Sequence, residues 1–274
     1  MNTLFSLSNS PEDRWHALRL KYEWTRGRFF QRLELDRATP EVMDALWADG
    51  WRHFGEHFFR DLYNIEERKL VRVIPLRVKL TEHSLAKDQR RLIKRNDDLN
   101  VRYVPIQLKD VHHDLFARHA ARFERNRPSD LYCFLSMDPQ LIPCPTQMCE
   151  VWSQDRLLAV SFMDIGADAT SSIYAMFDPD ESRRGLGHFT LLKEFEYAMN
   201  NGKSYVYTGY AHTKPTYYEY KKRFRGTEFY DGAGTWRPLD QLESVTFPQH
   251  RYEVEEIPEE LIVDPAETTD EGGP

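Results

Sequence analysis

The sequence predicts a mixed α/β (α+β) fold: a mostly antiparallel sheet flanked by helices, with a small N-terminal extension. Two stretches carry that expectation. Met148–Trp152, Leu157–Ile165 and Ser172–Phe177 are apolar runs separated by turn residues, the pattern of an antiparallel meander. The chain then reads loop, helix, strand over Asp178–Gly187, His188–Asn200 and Lys203–Tyr210. A length of 274 residues exceeds one average domain and falls short of two full ones. One enlarged domain is therefore expected at 39–250, with an extension at 1–38 packed on it and a tail at 251–274.

The remaining elements follow in order. Asp13–Trp24 places Trp15, Leu18, Leu20 and Tyr22 among charges at roughly helical spacing, and Arg28–Leu35 alternates as a strand does. Thr39 is placed to cap a helix that has Pro40 at its first position and stops near Gly50. Trp51–Arg60 is dense in aromatics and reads as a strand with its connections. Leu70–Leu80 is a strand in which Pro75 suggests an edge or a bulge. Ser84–Arg95 is a helix with Lys87, Arg90, Arg91, Lys94 and Arg95 on one half and Leu85, Leu92 and Ile93 on the other. Val101–Leu108 is a strand, Val111–Asn126 a helix and Arg127–Thr146 a loop. Helix His188–Asn200 sets Phe189, Leu192, Phe195 and Met199 on one side, with Gly202 closing it. A helix over Pro215–Phe224 and a glycine-rich hairpin at Asp231–Gly234 complete the domain.

Charge is unevenly distributed. Nine acidic residues against one basic give Arg251–Pro274 a net charge of -8, so the rest of the chain carries +1 of the total -7. The tail is poor in apolar residues and reads as largely disordered, a solubilising segment or a competitor for basic surface. No apolar run is long enough for a membrane span and the N-terminus lacks a signal-peptide pattern, so a cytoplasmic protein is expected. Cys133, Cys144 and Cys149 are too few and odd in number for a disulfide framework. The spacing of Cys144 and Cys149 is loosely that of a metal clip, with buried reduced thiols as the plainer reading. His112, His113 and His119 share one helical stretch but lack a matching carboxylate or cysteine set, so no metal is expected there.

Two features point to phosphate. Arg183-Arg184-Gly185-Leu186-Gly187, between a strand and an apolar helix, is a turn able to present backbone N–H groups to an anion. The five cations of the Ser84–Arg95 helix have only Asp88 as an acid among them, so they can follow an RNA backbone without reading its sequence; a solvated helix face is the plain alternative.

Taken together, the meander and the Arg-Gly turn resemble the GNAT superfamily of acyltransferases, in which such a turn holds the pyrophosphate of coenzyme A. Here Ser182 stands where Gln or Arg is usual. Four blocks resemble the arginyl- and leucyl-tRNA-protein transferases more closely. They are Gly50-Trp51-Arg52-His53-Phe54-Gly55, the Ser84–Asn96 segment with Gln89-Arg90-Arg91 and Lys94-Arg95-Asn96, the Asp178–Gly187 turn, and Tyr205–Tyr210 followed by Tyr218-Glu219-Tyr220-Lys221-Lys222-Arg223-Phe224. The resemblance implies transfer of Arg or Leu from its tRNA to the N-terminal α-amine of an acceptor protein, marking it for degradation. Aminoacyl-tRNA is then a co-substrate and no cofactor is expected. It assigns Lys87, Arg90, Arg91, Lys94, Arg95, Arg183, Arg184, Gly185 and Gly187 to tRNA, and Gln89, Tyr207, Tyr220 and Lys221 to substrate. Asp178, at a strand end beside the turn, and Tyr210, placed to stack on a terminal adenine, are the catalytic candidates. The family's N-terminal cysteines, which hold a metal or iron–sulfur centre, have no counterpart before Cys133, so no cluster is expected. An acetyl-coenzyme A-dependent N-acetyltransferase and a catalytically silent tRNA-binding adaptor fit the same blocks.

An aminoacyl ester is already activated, and an α-amine with a pKa of about 7.7 to 8.0 is partly free base near neutral pH. Positioning and oxyanion stabilisation would therefore supply most of the acceleration.

Overall fold

Thr39 opens the first helix through its side chain, which accepts from the Val42 N–H at 3.4 Å, while Pro40 takes the first helical position. The computed structural model describes residues 19–20, 30–124, 127–213, 217–257 and 262–263. In chain order the strands are β1 (Arg19–Leu20), β2 (Phe30–Glu34), β3 (Arg52–Phe54), β4 (His57–Asp61), β5 (Tyr63–Glu66), β6 (Lys69–Lys79), β7 (Asn100–Pro105), β8 (Thr146–Ser153), β9 (Arg156–Ile165), β10 (Ala169–Phe177), β11 (Tyr205–His212), β12 (Thr227–Tyr230), β13 (Trp236–Pro238) and β14 (Ile262–Val263). The helices are α1 (Pro40–Ala48), α2 (Lys87–Arg95), α3 (Asp110–Ala120) and α4 (Leu186–Asn200).

The main sheet runs β13-β12-β6-β11-β10-β9-β8-β7, with β5 paired to β6. The meander from β7 to β10 is antiparallel throughout, and α4 then carries the chain over to β11, which lies parallel to β10. Because side chains alternate along a strand, each face has its own core. On one face Val78, Val206, Leu158 and Ala159 meet α4 through Leu186, Phe189, Leu192 and Phe195, and α2 adds Leu92 and Ile93. On the other, Tyr207 and Ala169 meet Met43 and Trp47 of α1, and Val160 and Phe162 meet Leu115 and Phe116 of α3. A three-stranded sheet, β2-β4-β3, packs beside α1 and contributes Phe58.

Several expectations are corrected. Of the two readings of Pro75, the bulge holds and the edge strand does not: β11 shifts register between Tyr207 and Gly209 beside it, and on the other side Pro75 lies between the β5 ladder at 69–72 and the β12 ladder at 76–78, where no strand needs its missing N–H. Strand β5 escaped sequence reading because its turn is made by Glu67 and Arg68, both at positive φ, rather than by Asn or Gly. Helix α3 stops at Ala120, six residues before the expected end, where Phe123 N–H turns back to the Ala120 carbonyl. Met199 is exposed rather than on the apolar side of α4. The Pro215–Phe224 segment forms a 3-10 helix over Tyr217–Arg223.

Apart from Arg19–Leu20, the helix expected over Asp13–Trp24 lies outside the described residues. Those two are a strand, because Ile262 and Val263 offer them an antiparallel partner that local spacing cannot foresee. Within the acidic segment, Tyr252 and Ile257 are buried against Tyr63 and Leu70, and Ile257 N–H donates to the Arg68 carbonyl at 2.7 Å, so the chain is packed through residue 257. The rest of the expected tail, other than β14, lies outside the described residues.

Candidate active site and cationic surface

Strands β10 and β11 pair over only three residues, Ala169–Ser171 with Tyr205–Tyr207. Beyond that point each bulges against its other neighbour, β10 between Ser172 and Tyr174 and β11 between Tyr207 and Gly209. The two strands thus part at the middle of the sheet. Backbone groups freed by the parting need partners, and Arg52 of β3 supplies one for the Ser172 carbonyl. Its Nη1 donates to the Ser171 hydroxyl at 2.5 Å and its Nη2 to the Ser172 carbonyl.

A second cation comes from the chain after β11. Gly209 has φ +95°, and a methyl group there would stand 3.0 Å from Lys221 Nζ and 4.0 Å from Arg52 Nη2. The absence of a side chain at Gly209 is what lets the amine lie over the strand. Glu194 faces these cations from α4. It is fully buried, the Ser161 and Ser172 hydroxyls are oriented toward it, and neither carboxylate oxygen has a hydrogen-bond partner among the described residues. Burial raises the Glu194 carboxyl to about 7, against the pull of Arg52 and Lys221. Burial and the Arg52 charge lower the Lys221 amine to about 7, with Glu194 opposing. An amine so poised is half free base at neutral pH, the condition for passing a proton in either direction.

The surroundings hold Arg52 in place. His53 Nδ1 donates to the Gly55 carbonyl at 2.9 Å and its Nε2 lies 2.7 Å from Asp164, which accepts from Thr146 Oγ1 at 2.6 Å. Tyr210 Oη takes the Asp61 N–H at 3.2 Å and donates to the Gly50 carbonyl at 3.2 Å. The hairpin bearing Arg52 is thereby fastened to β9 and β11.

Helix α2 lies against the Arg-Gly turn. Arg95 Nη1 donates to the Arg183 carbonyl at 3.0 Å, Asn96 Nδ2 to the Arg184 carbonyl at 3.0 Å, and Leu92 touches Gly185, whose φ of +67° forms the bend. Lys87, Arg90, Arg91, Lys94 and Arg95 are all exposed, and among the described residues no carboxylate pairs with any of them. The start of α4 joins this surface to the split in the sheet: the His188 ring lies 4.3 Å from that of Tyr220 and feels the charges of Arg223 and Asp88. Tyr220 itself packs in the same cluster as Leu85, just before α2, and Leu92 and Ile93 of α2. The basic helix and the glycine bend therefore share one side of the molecule with the segment that carries Lys221.

Other candidates have structural occupations. Gln89 is buried and accepts the Ala86 N–H at 2.8 Å, capping its own helix. Tyr207 is in the core between Trp47 and Trp236. Arg184 is bound bidentately to Asp98 at 2.9 and 3.0 Å and to Glu181 at 3.1 Å, whereas Arg183 is exposed. Gly187 lies 3.5 Å, by a would-be Cβ, from the Phe177 ring, and so serves close packing of α4. Tyr210 has its hydroxyl engaged and its ring edge-on to Phe59. Asp178 corrects its proposed role as a base: it is buried, caps the next turn through the Asp180 N–H and is paired with Arg156 at 2.7 Å and Arg118 at 3.4 Å. Although burial raises it, these bonds hold its carboxyl below the usual range, the wrong direction for accepting a proton. Cys144 and Cys149 do not converge. Cys144 lies beside Asp164 on the α1 face and Cys149 faces Glu194, both thiols pushed up by burial. His112 and His119 are buried, His112 paired through Nε2 with Glu150 at 3.0 Å, and among the described residues no cluster of three or more His, Cys, Asp and Glu is arranged to hold a metal.

Sequence reading named Lys221 but missed Arg52 and Glu194 as site residues. Glu194 had a signal: with Leu191 and Ala198 it falls at helical spacing on a buried stripe, where an acid is out of place. Arg52 had none beyond its place in a conspicuous aromatic block.

A family model described as "Arginine-tRNA-protein transferase, C terminus" matches residues 106–231. The "Aspartate/glutamate leucyltransferase" of Acinetobacter baumannii is 31% identical over 212 residues, covering 76% of each chain. That of Chromohalobacter salexigens is 31% identical over 212 residues, covering 74% of this chain and 82% of its own. The solved structure of FemX superposes with a TM-score of 0.44 over 73% of this chain and 69% of its own, at 10% identity.

Proposed function

The chain belongs to the arginyl-/leucyl-tRNA-protein transferase family, and from that premise we propose that it moves a leucyl group from its tRNA to the N-terminal amine of proteins beginning with Asp or Glu, at the split between β10 and β11. The donor and acceptor residues are those named for the leucyltransferase relatives. One observation supports the location above all: two inward-facing cations, Arg52 and Lys221, meet over Gly209 beside an exposed cationic helix.

In this reading the exposed cations of α2, with Arg183, track the phosphates of the acceptor stem, and the 3′ end passes the start of α4 to reach Lys221. The acceptor amine attacks the ester carbonyl, a C–N bond forms, and the C–O bond to the ribose breaks. Neutral Lys221 takes the proton released by the attacking nitrogen and returns it to the ribose oxygen, ending as it began. Arg52 stays charged and lies near the oxyanion as it develops. No bound metal or cofactor takes part. No helix among the described residues is long and apolar enough to cross a membrane, which suits an enzyme working in the cytoplasm with charged tRNA.

The test is transfer of radiolabelled leucine, and separately arginine, from charged tRNA to peptides beginning with Asp, Glu, Lys or Arg. Leucine should appear on the Asp and Glu peptides, and Lys221→Met should abolish it. Absence of transfer from either tRNA overturns the reading, and thermal protection by coenzyme A would favour an acetyltransferase instead.

A further inference from the structure

Arg52 and Lys221 bring two positive charges to one opening, and α4 sends a single carboxylate toward them. The groups that face Glu194 come from several elements: Tyr103 from β7, the Cys149 thiol from β8, the Ser161 hydroxyl from β9, the Ser172 hydroxyl from β10, Arg52 from β3 and Lys221 from the segment after β11. Lys221 in turn is faced by Arg52, Glu194 and the bare backbone of Gly209. An acid on a buried helical stripe, with both oxygens closed to water and, among the described residues, only the Ser161 and Ser172 hydroxyls turned toward it, is costly to the fold and adds nothing to its packing that an apolar residue would not.

We infer that Glu194 is a positioning residue of the transfer reaction: without touching substrate, it holds the Lys221 amine over Gly209 and sets its charge state. The inference rests on the reading that aminoacyl transfer takes place at Lys221. Arg52 cannot give up its proton, so its charge drives Lys221 toward the free amine. Glu194 is the acid that opposes it. Remove that carboxylate and Lys221 becomes too weak a base to take the proton from the attacking nitrogen, and the transfer step slows.

The test follows Lys221 directly. In the full chain carrying 13C-labelled lysine, the ε-carbon of Lys221, assigned by its loss in Lys221→Arg, should titrate near neutrality rather than at roughly 10.4. Glu194→Gln should lower its proton affinity at least tenfold, and Glu194→Asp should recover most of the loss. Under single-turnover conditions the acid limb of the pH profile of transfer should move down with it, while tRNA affinity stays unchanged. An ordinary Lys221 titration in the unmodified chain overturns the inference, as does a midpoint that Glu194→Gln leaves in place. Should Glu194→Gln not fold, Ser161→Ala, which removes a hydroxyl that favours the charged carboxylate, should shift Lys221 in the same direction, and an unmoved midpoint there is equally fatal. Lys221 responding to Glu194 in a chain that accepts no charged tRNA leaves the pairing intact and overturns the functional reading; transfer with an unresponsive Lys221 does the reverse.

Discussion

Arg52 donates to the Ser171 hydroxyl at 2.5 Å on the last rung of the β10–β11 ladder. A side chain from the small sheet thus takes over where the main sheet stops pairing. The guanidinium completes the hydrogen bonding of the parted strands and, in the same position, lowers the proton affinity of Lys221. Fold and chemistry meet in one group, which sets the first prediction.

Arg52→Ala strips the Ser171 hydroxyl and the Ser172 carbonyl of their donor and leaves Glu194 facing Lys221 alone. Breaking one side of a buried charge arrangement costs about 3–5 kcal/mol. Urea unfolding should show a fall in that range and peptide transfer should be lost. A variant as stable as the parent would show that Arg52 is dispensable to the split.

Gly209→Ala should injure the reaction more than the fold. Positive φ costs an alanine about 1–2 kcal/mol, and its methyl would stand 3.0 Å from Lys221 Nζ, forcing the amine aside. Transfer should fall at least tenfold at saturating tRNA while the melting temperature drops by only a few degrees; unchanged kcat would remove the amine from the reaction.

Charge on α2 should govern RNA affinity. Arg91 and Lys94 are exposed and have no carboxylate partner among the described residues. Replacing both by Ala should reduce the slope of log affinity against log salt by about 0.7–0.9 for each phosphate that is no longer neutralised. Arg90, Arg91 and Arg95 changed together to Glu should abolish transfer. An unchanged slope would mean that the helix face is merely solvated.

Asp178→Ala should act on stability rather than on catalysis. It loses a cap and two ion pairs, with an expected cost of about 1–2 kcal/mol. Since the folded carboxyl is held down, its contribution is present above the unfolded pKa of about 3.9 and fades as pH falls below it. Loss of kcat in a stable Asp178→Ala protein would restore its candidacy as a base.

Acid should also act through His119. Burial keeps its imidazole down at about 4, the Phe177 backbone opposing that shift and the Arg122 charge adding to it. The unfolded chain binds the proton more readily, so stability should decline as pH falls from about 6.5 toward 4, by up to about 3 kcal/mol. His119→Asn should flatten that decline in melting temperature measured against pH.

Much of this molecule is written in local pattern. The meander of β8, β9 and β10 is legible because alternation and turn residues report strands directly, and the Thr39-Pro40 start of α1 because a cap is a short-range device. The cations of α2 are legible because helical spacing alone puts them on one face. Local pattern also sufficed for the family, since its blocks stand in order along the chain. Tertiary structure decided the rest. Nothing around Arg52 says that it will enter a gap between strands more than a hundred residues away, and nothing around Gly209 announces that an amine from the following segment will lie on it. Glu194 is out of place on its stripe, but only the split sheet beneath gives it two cations to face. Asp178 looked free beside its turn until Arg156 and Arg118 were seen to hold it. Spacing along a chain governs which face a residue occupies, whereas the electrostatic role of a buried group depends on which distant charges the topology brings within a few ångströms of it.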